Sequence, residues 1–218
     1  MVRACLDGTK SQTRRAIKLP PAPEKLGYWE PTIIGGAGIT DSKGNPVPER
    51  PAIWHTRTGA CIACHFQPGD RLWVREAFAL DDNGHEEWPI YRADGAALPV
   101  LPPTRKASRW RSPIHMPRWA SRIDLEITEV RVERLQDISE ADALAEGIEE
   151  VEGIIGASCA GGIHHEITGI RYYFDGGHDE GYESADDAYH ALWDSLNGPG
   201  SWDANPWVWV ITFKRVKP

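Results

Sequence analysis

The sequence predicts an α+β fold: a small β-barrel with flanking short helices and long loop insertions. Three observations predict it. The segment Trp207-Val208-Trp209-Val210-Ile211-Thr212-Phe213 is apolar at nearly every position, the mark of a strand buried on both faces. Ile123, Leu125 and Ile127 alternate with Asp124, Glu126 and Thr128, the period of a half-buried strand. Finally, 21 Gly and 17 Pro among 218 residues demand many turns, and strands dispersed among short helices argue against a layered parallel sheet.

In chain order, Val2 to Leu6 reads as a short helix closed by Asp7-Gly8, a left-handed cap. Residues 19–67 are rich in Pro and Gly and read as loop, with one short strand around Thr32 to Ile34. Pro68-Gly69-Asp70 is a turn signal and Arg71 to Val74 the strand after it; Glu87 to Ala93 is a further strand. Pro99 to Pro117 returns to loop, since Pro113 and Pro117 exclude a helix there. Val130 and Val132 continue the strand of Ile123 to Ile127 after a phase slip, which predicts a β-bulge. Ser139 is a good N-cap for a helix over Glu140 to Glu146, with Asp142 placed as in a capping box and Gly147 as the stop. Gly153 to Gly181 carries no readable element. Ser184 caps a second helix with apolar positions at Ala188, Leu192, Trp193 and Leu196, ended by Asn197-Gly198.

No internal repeat divides the chain, and its length suits one domain over 1–218. Lys and Arg number 24 against 32 Asp and Glu, a net charge of -8. That excludes a surface coated uniformly for phosphate, but not a small basic site. Mean hydropathy is -0.45, and no apolar run is long enough for a membrane-spanning helix. Met1 to Arg15 is basic and polar, without the apolar stretch of a secretory signal. Four Cys are too few for a disulfide scaffold, so a cytoplasmic protein is expected.

Several groups could carry chemistry. Lys10 and Thr13 stand three apart, so one turn of chain would bring amine and hydroxyl into reach; Arg14, Arg15 and Lys18 would then help Lys10 act as a base. The plainer alternative is a solvated basic loop. Glu146 falls in the last turn of its helix, where the macrodipole disfavours a carboxylate by about 0.3–1 kcal/mol. That placement suits a group that must lend and recover a proton, against the alternative of a surface glutamate. Cys61-Ile62-Ala63-Cys64-His65 has the form of a haem-attachment string, and with Cys159, His164 or His165 it could hold zinc. Only one ligand pair is present, so loop cysteines without metal are preferred. Arg105, Lys106, Arg109, Arg111, Arg118 and Arg122 interleave with Trp110 and Trp119, a composition fit for stacking and backbone contacts to single-stranded nucleic acid or a nucleoside. A Pro-fixed loop packing its tryptophans on the barrel is the equal alternative. The common hydrolase and nucleotide-binding motifs are absent.

Read together, Gly8-Thr9-Lys10-Ser11-Gln12-Thr13-Arg14-Arg15, Pro68-Gly69-Asp70-Arg71-Leu72, Leu135 to Ile148 and Trp209 to Lys214 resemble, in order, the motifs of the ASCH family. That family has a PUA-like barrel, and the wording is similar to a longer branch found in phages and bacteria. The likeness covers about half of the chain. It implies an amidohydrolase that cleaves N4-acetylcytidine to cytidine and acetate, with Lys10, Thr13 and Glu146 catalytic and Arg15 beside them. Either Thr13 attacks as nucleophile, or water attacks with Thr13 positioning it. Glu76, just past the Pro-Gly-Asp strand, is a further candidate for substrate contact. The scheme needs no cofactor and no metal, and its partner is a small nucleoside. Insertions at about 19–67, 84–115 and 149–183 set this chain apart from the small amidohydrolases. Other ASCH proteins bind or cleave RNA, so an RNA-binding or ribonucleolytic module using Arg105 to Arg122 is the alternative.

Overall fold

A computed structural model describes residues 2–20, 27–82, 86–98, 109–160, 163–174, 177 and 180–216, with backbone only at 82, 154, 156–160 and 163–167. Its centre is a four-stranded antiparallel sheet that curls into a half-barrel, built from β1 (Gln12–Ala16), β11 (Trp207–Val216), β8 (Asp124–Arg134) and β5 (Arg71–Trp73), adjacent in that order. The remaining strands are β2 (Trp29–Ile34), β3 (Arg50–His55), β4 (Cys61–Ala63), β6 (Phe78–Asp82), β7 (Glu87–Tyr91), β9 (Glu149–Ala160) and β10 (Ile163–Tyr173). Among the described residues three α-helices accompany them: α1 (Val2–Asp7), α2 (Glu140–Ala145) and α3 (Ala185–Asn197). The chain is thus mostly β with a few short helices. Among the described residues, no helix is long and apolar enough to cross a membrane.

Strand β11 explains its own sequence. Val208 and Val210 pack with Leu135, Ala143, Leu192 and Trp193 under α2 and α3. Trp209 and Ile211 point the other way, onto Ile53 of β3 and Cys64 just past β4, with Ile17, Ile127 and Val130. Phe213 joins Cys5, Ile123 and Leu125 beneath α1. Both faces are covered, so an apolar residue is required at consecutive positions rather than alternate ones. The predicted bulge lies where the phase slips: Thr212 pairs with Glu129 and Phe213 with Ile127, leaving Thr128 as the extra residue on β8.

Two segments hold more structure than the sequence predicts, and the short strand expected around Thr32 to Ile34 lies within β2. Residues 19–67 contain the antiparallel sheet β2-β3-β4. Its prolines hid it; Pro31 sits on edge strand β2, where proline is tolerated. The 149–183 insertion contains the long antiparallel strand pair β9 and β10, with a register shift between Ile167 and Thr168. Within 84–115, β7 pairs with β6, a strand the sequence did not signal. The loop expected from Pro99 to Pro117 holds a short 3-10 turn at Pro113–His115 among its described residues, and Arg118–Ala120 forms another just past it.

Candidate active site

The site is assembled where the chain entering β1 crosses the end of α2. Ser139 caps α2 by accepting the Asp142 N–H at 3.2 Å. Glu146 ends the helix, its N–H bonded to Asp142 O at 2.9 Å. Gly147 then turns the chain with φ +96°; a Cβ there would lie 3.2 Å from the Ala4 Cβ and 3.3 Å from the Lys10 Cβ. Glycine is therefore needed twice over, for its left-handed backbone and for the close approach of Lys10. Two backbone bonds fix that approach: Ser11 N–H to Ala145 O at 2.8 Å, and Lys10 N–H to Ala4 O at 3.0 Å.

Lys10 Nζ donates to Glu146 Oε2 at 2.7 Å and to the Glu146 backbone carbonyl at 2.6 Å. The two side chains are 9% and 3% exposed. Amine and carboxylate, 136 positions apart in sequence, thus form a nearly buried ion pair. The amine also answers the electrostatic objection to Glu146, because it meets the partial negative charge of the helix C-terminus as well as the carboxylate.

Thr13 is not brought to this pair. Residues 12–16 are extended, and in a strand successive side chains alternate between faces. Thr13 lies opposite Ile211, and Arg15 opposite Trp209, on the face looking toward β3. Gln12 and Arg14 lie opposite Thr212 and Val210, on the face covered by α2 and α3. The three-residue spacing would unite Lys10 and Thr13 in a helical turn; in a strand it separates them. No hydrogen bond of the Thr13 hydroxyl is found among the described residues, and Arg15 is exposed.

Arg14 takes the place expected of Arg15. Its side chain is fully buried, with Nη1 3.7 Å from Glu146 Oε1 and Nη2 2.9 Å from Asp142 Oδ2 and 3.2 Å from Glu133 Oε2. Gln12 joins it, accepting from Arg14 Nη1 at 2.6 Å and donating to Asp142 Oδ1 at 3.0 Å. Arg131 closes the network through Asp142 and Glu133. Asp142 therefore turns to these cations rather than back to the cap. Burial pushes its carboxyl up, but the Gln12 hydrogen bond and the charges of Arg14 and Arg131 outweigh that and hold it below the usual range. From α3, Tyr189 donates its hydroxyl to Glu146 Oε1 at 3.3 Å. Burial, with the adjacent Glu146 carboxylate, pushes this phenol well above the ordinary tyrosine range. Gln12 and Tyr189 were missed in the sequence, and Arg14 was expected only as positive charge near Lys10. Lys10, Gln12 and Arg14 do show the period-2 spacing of one strand face, and Tyr189 is the polar-tipped member of the apolar stripe of α3. A groove of about 460 Å³ is bordered by Thr9 and Ala145, the chain neighbours of Lys10 and Glu146, and by Ile148, Glu149, Glu150 and Val151; neither member of the pair lines it.

The other candidates lie elsewhere. Glu76 is buried and held bidentately by Arg122, with Nε–Oε1 and Nη2–Oε2 both 2.9 Å. Arg122 also binds both oxygens of Asp94 and stacks 3.8 Å from the Tyr91 ring centroid. Both oxygens of Glu76 are thereby held in an ion pair. Arg118 is paired with Asp124, and Arg111 lies 5.8 Å from the Phe78 ring centroid. Arg109 and Trp119 are exposed, while Arg105 and Lys106 lie outside the described residues. Cys61 is exposed on β4, whereas Cys64 is buried in the apolar cluster with Ile53 and Trp209, and His65 packs on Phe66 at 4.1 Å between ring centroids. Among the described residues no three His, Cys, Asp or Glu side chains gather as metal ligands; the side chains of Cys159, His164 and His165 lie outside them.

Compared with protein-family models, curated proteins and solved structures, the chain matches none.

Proposed function

We propose that the chain is an amidohydrolase of N4-acylated cytosine nucleosides, built on a PUA-like barrel of the ASCH type and working in the cytoplasm. One observation carries this reading: the buried Lys10–Glu146 pair, which joins the lysine of the Gly8–Arg15 motif to the glutamate of the capped helix. The resemblance demands that meeting, and neither residue's local sequence requires it. In the proposed reaction, water adds to the acyl carbonyl. Glu146 accepts the water proton and passes it to N4 as the C–N bond breaks, leaving a cytosine nucleoside and a carboxylic acid. The Lys10 ammonium faces the developing oxyanion. Of the two routes the resemblance leaves open, direct water attack suits this arrangement, because Thr13 occupies the opposite face of β1. The RNA-binding alternative draws less support, since Arg118 and Arg122 already face carboxylates.

The test is cytidine release from N4-acetylcytidine by the wild type beside Lys10→Ala, Glu146→Gln and Thr13→Val. Loss of either member of the pair is expected to lower kcat/KM by about 10²-fold or more, while Thr13→Val stays within about threefold, well under the ~1.4 kcal/mol that a tenfold change represents. A folded wild type without turnover overturns the reading. Turnover abolished in Thr13→Val overturns the water route and restores a threonine nucleophile.

A further inference from the structure

We infer that Tyr189, with Arg14 beside it, is the positioning residue that fixes the plane of the Glu146 carboxylate, an inference that rests on the proposed amidohydrolase reading for its kinetic consequence. Each oxygen of Glu146 has its own partners. Oε2 accepts from Lys10 at 2.7 Å, whereas Oε1 faces the Tyr189 hydroxyl at 3.3 Å and Arg14 Nη1 at 3.7 Å. A carboxylate held at both oxygens cannot rotate about its terminal bond without breaking contacts on both sides. Only one oxygen is then presented to Lys10.

Tyr189 is itself immobilised. It is 3% exposed, its ring lies 6.3 Å from that of Trp193 and 6.2 Å from that of Trp202, and the Arg14 guanidinium sits 5.9 Å from its centroid. Its helix begins at a formed cap, Ser184 accepting from the Asp187 N–H at 3.1 Å. A phenol facing a carboxylate can only donate. An apolar residue would fill this stripe position equally well for packing, so the hydroxyl is the part that the helix core does not require.

The test is Tyr189→Phe, which keeps the ring and removes only the donor. With N4-acetylcytidine, kcat is expected to fall about tenfold, the factor that a ~1.4 kcal/mol loss produces, with KM unchanged within twofold. The melting temperature should fall by only about 2–4 °C, as for the loss of one hydrogen bond in a chain of this size. A second readout is independent of turnover. Amine acetylation of Lys10 by a hydroxysuccinimide ester, followed by mass spectrometry, should rise several-fold in the variant as Glu146 loosens its hold. Unchanged kcat with unchanged Lys10 labelling overturns the inference, and so does a rise in KM alone, which would make Tyr189 a substrate contact. If the wild type hydrolyses no acylcytidine, the functional reading fails by itself. Lys10 labelling then decides the positioning role: a rise supports it, and equal rates overturn it.

Discussion

Replacing Lys10 by Met removes the amine while keeping an unbranched side chain of similar length. Glu146 would then retain the Tyr189 hydroxyl at 3.3 Å and Arg14 Nη1 at 3.7 Å, but lose its shortest partner at 2.7 Å. The carboxylate is 3% exposed, so solvent compensates little for the lost ammonium. Removing one member of a buried pair costs about 3–5 kcal/mol; with two partial partners left, the lower figure of about 3 kcal/mol applies. The reverse change, Glu146→Gln, leaves Lys10 the backbone carbonyl at 2.6 Å and a neutral amide oxygen, and should cost about 2 kcal/mol. Because the double variant leaves neither charge stranded, it should cost about 2 kcal/mol less than the two single changes added together. The assay is urea unfolding followed by tryptophan fluorescence, for which the chain has ten reporters. Thermal melts should show Lys10→Met lower by about 6–12 °C, given about 2–4 °C per kcal/mol at this length. A cost under about 0.5 kcal/mol for Lys10→Met, with additive double-variant energies, would refute the buried pair.

Two further outcomes follow from the surrounding network. The Asp142 carboxyl, held below the usual range, contributes stability that is complete above its unfolded value near pH 4 and is lost as the pH falls through its lowered folded value. Asp142→Asn should therefore be less stable than the wild type at pH 7 and converge with it in strong acid, checked by urea midpoints from pH 7 to pH 2. Parallel curves would show that Asp142 is not held by Arg14 and Arg131. Gly147→Ala should cost about 1–3 kcal/mol, combining the left-handed backbone with a Cβ pressed against Ala4 and Lys10. Differential scanning calorimetry measures it, and an unchanged melting temperature would show that α2 and Lys10 do not approach so closely.

Much of the framework was legible in the sequence because the signals were local. Gly8 and Gly147 adopt the positive φ that helix stops need; Ser139 and Ser184 are the caps that their positions suggested; the phase slip before Val130 is a real bulge. What stayed hidden depended on distant pairing. The β2-β3-β4 sheet lies inside a Pro-rich stretch, and only its contact with the inner face of β11 and β8 shows what its apolar residues are for. The β9–β10 ribbon is recognisable from its partner strand and not from an alternating apolar pattern.

The candidate site divides in the same way. By itself the sequence determined that Lys10 and Glu146 exist at motif positions, that Glu146 ends a helix, and that a turn glycine follows it. Whether three residues of spacing join or separate two side chains depends on the backbone between them, and residues 12–16 extend because they pair with β11. That pairing placed Gln12 and Arg14 with Glu146 and sent Thr13 and Arg15 to the other face. Tyr189 enters from a helix 43 residues beyond Glu146, and the contact exists only because α3 packs across Val208 and Val210. Local propensity selects caps, turns and strand segments within a few residues. Which charges face one another in a buried site is decided by the apolar surfaces that must close over the sheet.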